Sequence, residues 1–431
     1  MVNKALNAIS ILTGCSIPIF WSGVVTFAYP GVMSSYWQET FHVGNAETGL
    51  VVTFMLIGLA STMFISGHIH AKFGMSCCIL ITIGVYIVSY LILFFTKNIY
   101  MLYIWAFIEN IGCSFSYGPG VTTAQSSFPN NKGVVSGIIN LSFGIAAGVM
   151  TPVLNYMLEN KGYTFANIVI IISIVILDFI SYLLIKFSKP THPQRSKKKE
   201  EEQEGEDIES KDMTVKEAVK TKEFWLIWFV WAFMGASGIS ILSLSKSYSL
   251  HIGQKGVLLH TLFNLSNGVF RIFIGILTDK IGAKFTGAIG YACGALGYLI
   301  MPYSSNIILV GICTIGVGIG FGTIFTVTGP LASDIFGLKY FGMIYGLIFT
   351  AYGIVGGIVG PAVSGMILEK TNNNFTIVFT YLGIMGSIGT VLTLCVNEKR
   401  KTKEKKPILP TKILNENMNN NNISNDSNNS N

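Results

Sequence analysis

Residues Asn264–Lys284, NLSNGVFRIFIGILTDKIGAK, place an arginine, Arg271, inside an apolar run and close that run with Gly275, Asp279, Lys280, Gly282 and Lys284. From Arg271 to Asp279 a helix rises about 12 Å at 1.5 Å per residue. A bilayer's hydrocarbon layer is about 30 Å thick, so the guanidinium is expected deep within it. A charge held there is costly, and such charges mark functional sites.

The rest of the chain agrees with a membrane setting. Of its 431 residues, 51% are hydrophobic and only 12% charged, where a soluble domain carries about 25% charged residues. Mean hydropathy is +0.55. Apolar runs of spanning length fall at about 8–30, 48–67, 77–95, 100–121, 133–155 and 165–186, and again at 224–245, 256–277, 286–303, 306–328, 342–367 and 376–396. The expected fold is an all-α membrane protein of twelve spans. The seven cysteines show no CxxC pairing and read as small core residues, not metal ligands or disulfides. No metal or other cofactor is expected. The net charge of +7 lies mostly in loops and tail, so it speaks to membrane orientation and lipid contact and not to nucleic acid.

Four segments follow: a first six-span bundle over 1–186, a charged linker over 187–222, a second bundle over 223–396 and an Asn-rich tail over 397–431. Linker and tail are too polar to bury a core; the linker is expected to be disordered or partly helical and the tail disordered. Lys and Arg concentrate on the side holding both termini and the linker, so both termini are expected in the cytosol. Plasma membrane and organelle membrane are equally compatible with the sequence.

The two bundles repeat. Gly133, Gly137, Gly144, Gly148 and Pro152 return as Gly342, Gly346, Gly353, Gly357 and Pro361, each displaced by 209 residues. Gly67, Lys72 and Gly74 return as Gly275, Lys280 and Gly282 at 208. Small residues at helix contacts account for glycines in general, but not for one shared offset. Parallel halves with a substrate site between them are a transporter architecture.

On these residues the chain resembles the major facilitator superfamily. Gly275, Asp279, Lys280, Gly282 and Lys284 nearly complete the superfamily's loop motif after the eighth span; the matching loop after the second has Ala71 where the acid is expected. Tyr117–Gly137, Thr214–Trp228, Asn267–Arg271 and Gly329–Gly353 resemble the oxalate/formate antiporter and monocarboxylate porter group. The resemblance implies alternating access, with Asp279 in a gate at the cytosolic face beside Gly275, Lys280, Gly282 and Asp334. Monocarboxylate porters commonly carry an acid at the position of Asn267. The oxalate exchanger carries a lysine in the eleventh span, whereas Gly346–Gly360 here holds no Lys, Arg or His, and Tyr352 occupies that region.

Arg271 is the expected anion receptor, because its planar fork binds a carboxylate bidentately and stays cationic. A permanent pair with Glu109 or Asp178 is the structural alternative. Asn267, one turn before Arg271, and Tyr117 are expected to orient the substrate, with Tyr29, Phe325 and Tyr352 packing its carbon skeleton. Glu109 and Asp178 are the acids within spans and the candidates for carrying a coupled proton. The glycine–proline pairs near 118–120, 329–330 and 360–361 are expected to let their helices bend.

These residues describe a secondary transporter, working as a monomer, of a small organic anion of the pyruvate, lactate or formate type, by proton symport or anion exchange. The alternatives are a carrier of a neutral or zwitterionic solute and a non-transporting sensor. No nucleophile–base pair, metal-ligand cluster or phosphate loop supports an enzyme.

Overall fold

The turns explain where the chain reverses. The structure, a computed structural model, describes residues 2–188, 212–253 and 258–398. Most of the linker (189–211) and of the tail (399–431) lies outside the described residues. At one face, called here the near face because the first helix begins there, Gly74 (φ 79), Gly282 (φ 93) and Gly337 (φ 82) turn the chain in the left-handed region, which costs glycine nothing. At the far face Asn98, Asn306 and Asn374 cap the next helices by accepting from the amides of Met101, Ile308 and Thr376.

Between these turns every described crossing is helical. The first crossing is α1 (Val2–Gly23), a π-helical turn (Val24–Ala28) and α2 (Tyr29–Phe41). The second and third form α3 (Asn45–Phe94), kinked at Gly74. Then come α4 (Ile99–Ser127), α5 (Lys132–Lys161) and α6 (Tyr163–Ser188). After the linker, α7 (Val215–Val219) is a short turn, followed by α8 (Lys222–His251), α9 (Leu258–Ile281), α10 (Ala283–Ile300) and α11 (Ile307–Phe336). The eleventh crossing is α12 (Phe341–Thr350), a π-helical stretch (Ala351–Val359) and α13 (Gly360–Lys370); α14 (Phe375–Leu394) is the last.

Among the described residues, ten helices are long and apolar enough to cross a membrane. One of them, Glu47–Phe94, is 48 residues long and makes two crossings about Gly74. The 29-residue α4 is not among the ten, because it carries Glu109, Asn110, Ser114, Ser116, Thr122, Thr123, Gln125 and Ser126, all buried. Its polar face turns into the bundle, where hydrogen bonds engage most of it. Together these make twelve crossings in two halves. Outward-facing side chains such as Leu91, Ile172, Phe179, Ile312 and Ile384 are apolar and exposed, as lipid contact requires.

Part of the stretch 187–222 is helical: Thr214 and Glu217 form a capping box that starts α7, and the Met213 amide donates to the Phe336 carbonyl at 2.9 Å. At Gly118–Gly120 and at Gly329 and Pro330, α4 and α11 run through as continuous helices. The irregular backbone before Pro361 is a widened π-helical stretch instead, a feature found often at functional sites.

The repeat glycines find their meaning in tertiary contact. A Cβ on Gly275 would sit 2.4 Å from the Gly133 carbonyl, and one on Gly137 2.7 Å from the Arg271 carbonyl. In the other half, a Cβ on Gly67 would sit 2.3 Å from the Gly342 carbonyl carbon, and one on Gly346 2.6 Å from the Phe64 amide. Two seams, α5 against α9 and α3 against α12, thus hold the halves backbone to backbone at the near face. Gly275→Ala should cost about 1–3 kcal/mol of the closed form, seen as a lower thermal unfolding midpoint of the purified protein. Gly148→Ala, with nothing within 4 Å of the added carbon, should leave the midpoint unchanged or slightly raised.

Candidate functional site

Arg271 lies on the α5–α9 seam and is 1% exposed. Its Nε donates to the Asn267 carbonyl at 3.0 Å and its Nη2 to Asn267 Oδ1 at 2.9 Å. Its Nη1 reaches across the seam to the Asn140 carbonyl at 2.8 Å. The face of Phe325 stands 4.7 Å from the guanidinium carbon, a cation–π contact. No carboxylate pairs with it: among the described residues the one ion pair is Lys132–Asp334. The structural alternative, a permanent pair with Glu109 or Asp178, is therefore not present. Amide oxygens stand where a carboxylate's oxygens would sit, and of the guanidinium's five N–H groups two keep no partner among the described residues.

Asn140, which sequence reasoning did not single out, joins the elements around Arg271. Its Oδ1 accepts from the Tyr117 hydroxyl at 2.6 Å, and its Nδ2 donates to the Ser136 and Phe325 carbonyls at 2.8 and 3.1 Å. Trp231 was also missed. It packs edge-on to Phe325 and Tyr352, and its Nε1 donates to Thr328 Oγ1 at 2.9 Å. Each was one polar or aromatic residue among many along an apolar helix, and only tertiary contact distinguishes them. Tyr352 keeps a buried hydroxyl without a partner among the described residues, and both it and Tyr345 lie within electrostatic reach of Arg271. On the far-face side of Arg271, Phe27, Gly144, Ala147, Phe263, Asn264, Asn267 and Phe321 enclose a narrow cavity of about 10 Å³, measured at the centre of a water-sized sphere. That holds one water at most.

Asn267, Tyr117, Phe325 and Tyr352 are thus gathered around Arg271. Tyr29 is not: its hydroxyl donates to Asn167 Oδ1 at 2.5 Å and its ring packs on Trp37 and Trp105 inside the first half. Glu109 is fully buried in that half; its Oε2 accepts from Asn110 Nδ2 at 2.6 Å, Asn110 Oδ1 accepts from Thr26, and its Oε1 has no partner. Asp178 on α6 is also fully buried, and neither of its oxygens has a partner. Among the described residues no group of three His, Cys, Asp or Glu side chains is placed to hold a metal ion.

The near face is closed above this site. Asp279 accepts from the Gly133 and Val134 amides, both at 2.8 Å, so a carboxylate of one half caps the first turn of α5 in the other. There the helix dipole favours negative charge. Lys132 Nζ meets Asp334 Oδ1 at 2.7 Å. Within the second half, Glu398 caps α10 through the Ala283 and Lys284 amides. The symmetry-related start of α12 differs. Phe341, Met343 and Ile344 donate to the Leu338 and Tyr340 carbonyls, and Ala71 offers no acid.

A pair of six-crossing halves around a buried, unpaired cation defines a membrane carrier for small solutes. The family model of the Major Facilitator Superfamily matches residues 16–356 and 237–415, and the chain belongs to that superfamily. It is 23% identical over 311 residues to the oxalate:formate antiporter of Oxalobacter formigenes, covering 69% of this chain and 71% of that protein. It is 23% identical over 434 residues to monocarboxylate transporter 2 of Mus musculus, covering 88% and 85%. The fold is also similar to that of the E. coli fucose:proton symporter, with a TM-score of 0.68 at 14% identity over 90% of this chain and 98% of that one.

The two near-face contacts differ in the bonds they make and so in strength. Asp334 is one-third exposed, and a pair of that kind contributes up to about 1 kcal/mol. Asp279 accepts two charge-assisted amide bonds, each stabilising by about 1.5–3 kcal/mol. With a cysteine at the buried Ser136, Asp279→Ala should speed maleimide labelling roughly tenfold or more over the native-cysteine background. Asp334→Ala should speed it less than about fivefold.

Proposed function

We propose that this protein carries small organic monocarboxylates across a membrane by alternating access. The observation that supports this reading most is Arg271, a buried guanidinium with no counter-ion. An uncompensated charge in a dry interior is costly by several kcal/mol, and three amide acceptors offset only part of that. A carboxylate entering between the halves would supply the missing charge and take bonds roughly twice as strong as neutral ones.

The walls support a monoanion. The residues around the cavity include no second cation, and phenyl rings, with the Asn264 and Asn267 amides, fill the rest. A dicarboxylate would leave one charge unmatched. Asn267 and Tyr117 orient the carboxylate, the latter through Asn140, while Phe325 and Tyr352 pack its carbon chain. A site that fits one water in the closed form must widen to admit even formate, so the halves, 1–186 and 223–396, rock about the glycine seams. Gly275, Asp279, Lys280, Gly282 and Asp334 form the gate at the near face. That face is cytosolic by its basic residues, and one chain suffices for the cycle. If transport is proton-coupled, Glu109 is the proton carrier, since it lies on the same helix as Tyr117. Asp178 on α6 is the second candidate.

Arg271 also braces α9 to α5, which is the observation favouring a purely structural role and a neutral solute. Uptake of labelled pyruvate, lactate, formate and oxalate into proteoliposomes separates the two. Monocarboxylate uptake should fall about a hundredfold in Arg271→Ala and roughly tenfold or more in Arg271→Lys, whose point charge cannot reproduce the fork. A correctly inserted Arg271→Ala that keeps full uptake overturns the receptor role. Stimulation by an inward proton gradient that disappears in Glu109→Gln would assign the coupling; flux only into anion-loaded vesicles would assign exchange.

A further inference from the structure

Asn140 bonds at once to the candidate receptor, to Phe325 of the opposite half and to Tyr117 of its own half. It is fully buried. Its carbonyl accepts from Arg271 Nη1 and its side-chain amide donates to the Phe325 carbonyl, so two bonds of one residue cross from α5 to α9 and α11. Tyr117, from α4, fixes the amide's orientation at 2.6 Å. The neighbouring glycines, Gly137 and Gly144, bring the backbones within reach: a Cβ on Gly144 would lie 3.3 Å from the guanidinium.

We propose that Asn140 is the latch through which the empty carrier is held closed and through which substrate occupancy is sensed. The inference rests on Arg271 being the anion receptor. The Asn140 backbone carbonyl holds one of the two Nη1 donors. A carboxylate that bridges the two terminal nitrogens competes with the carbonyl for Nη1, and its charge makes the stronger bond. The carbonyl gives it up at little cost, since as residue i of a helix it is already the acceptor for the amide four residues on. One arm of the latch is then open. At Asn140 the amide bond to Phe325 then remains, beside the Asp279 and Lys132 contacts of the near face, and the halves separate more readily. With both arms closed the halves separate less often. Asn140 is thus a positioning residue that ties movement to loading, and it need not touch the substrate's carbon skeleton.

The near face provides a reporter that does not depend on the substrate's identity. The Gly133 and Val134 amides open α5 and are held by Asp279 of the other half. Their hydrogen exchange, followed by mass spectrometry on peptides covering 129–136, reads how often the near face opens. In Asn140→Ala without any acid, exchange there should rise about three- to tenfold, the equivalent of one lost hydrogen bond. Tyr117→Phe, which removes only the bond that orients the amide, should give a smaller rise. Peptides of α6 and α10, away from the seam, should not change. In wild-type protein, saturating pyruvate, lactate or formate should raise exchange over 129–136 in the same way.

The outcomes separate. If Asn140→Ala leaves 129–136 at the wild-type rate, or speeds α6 and α10 equally, the latch is overturned and Asn140 is a packing residue. If Asn140→Ala behaves as expected but an acid that proteoliposomes take up leaves wild-type exchange unchanged, occupancy sensing is overturned while the monocarboxylate reading stands; if no acid is taken up, the monocarboxylate reading itself fails.

Discussion

The structure depends on a guanidinium buried without a counter-ion. Arg271 is satisfied by oxygens of two asparagines and by the face of Phe325, all neutral. Neutral acceptors stabilise a cation less than a carboxylate does, and this is the basis of the receptor role proposed for Arg271. Had Glu109 or Asp178 been placed against Arg271, the charge would be matched and the same helix would be an inert structural element.

The site is formed where the halves touch, and the halves touch through glycine. Because no side chain separates α5 from α9 at Gly133 and Gly275, Arg271 can reach a carbonyl of the opposite half. The same approach brings Asp279 onto the first amides of α5. Closure at the near face and the geometry around the receptor are therefore one feature of packing. The asymmetry of the repeat sharpens it: the acid of one loop became Ala71, and the helix start opposite that loop is satisfied by its own backbone. Charge-assisted closure rests on one seam, whereas the other relies on close packing between Gly67 and Gly342.

The two acids of the first half follow a different logic. Glu109 is held through Asn110 and Thr26, and Asp178 has no hydrogen-bonding partner among the described residues. Neither reaches Arg271. A proton on Glu109 would act on the surroundings of Arg271 through movement of α4, which Glu109 shares with Tyr117, and not by direct charge pairing.

The sequence alone determined the class of protein. Spanning-length apolar runs admit only helices, since lipid offers no partner for an open backbone, and a shared offset of glycines betrays duplicated halves. The placement of Arg271 inside a membrane-spanning helix was equally legible, because it stands within an apolar run, where a charge is costly. The roles of Asn140 and Trp231 were not legible. An asparagine or tryptophan in a helix says nothing of which face it occupies until its neighbours are in place. Nor could the sequence separate Tyr117 and Tyr352, which surround Arg271, from Tyr29, which packs among Trp37 and Trp105. Whether Arg271 had a carboxylate partner was likewise decided only by tertiary structure, because distance between helices, and not order along the chain, sets which charges meet.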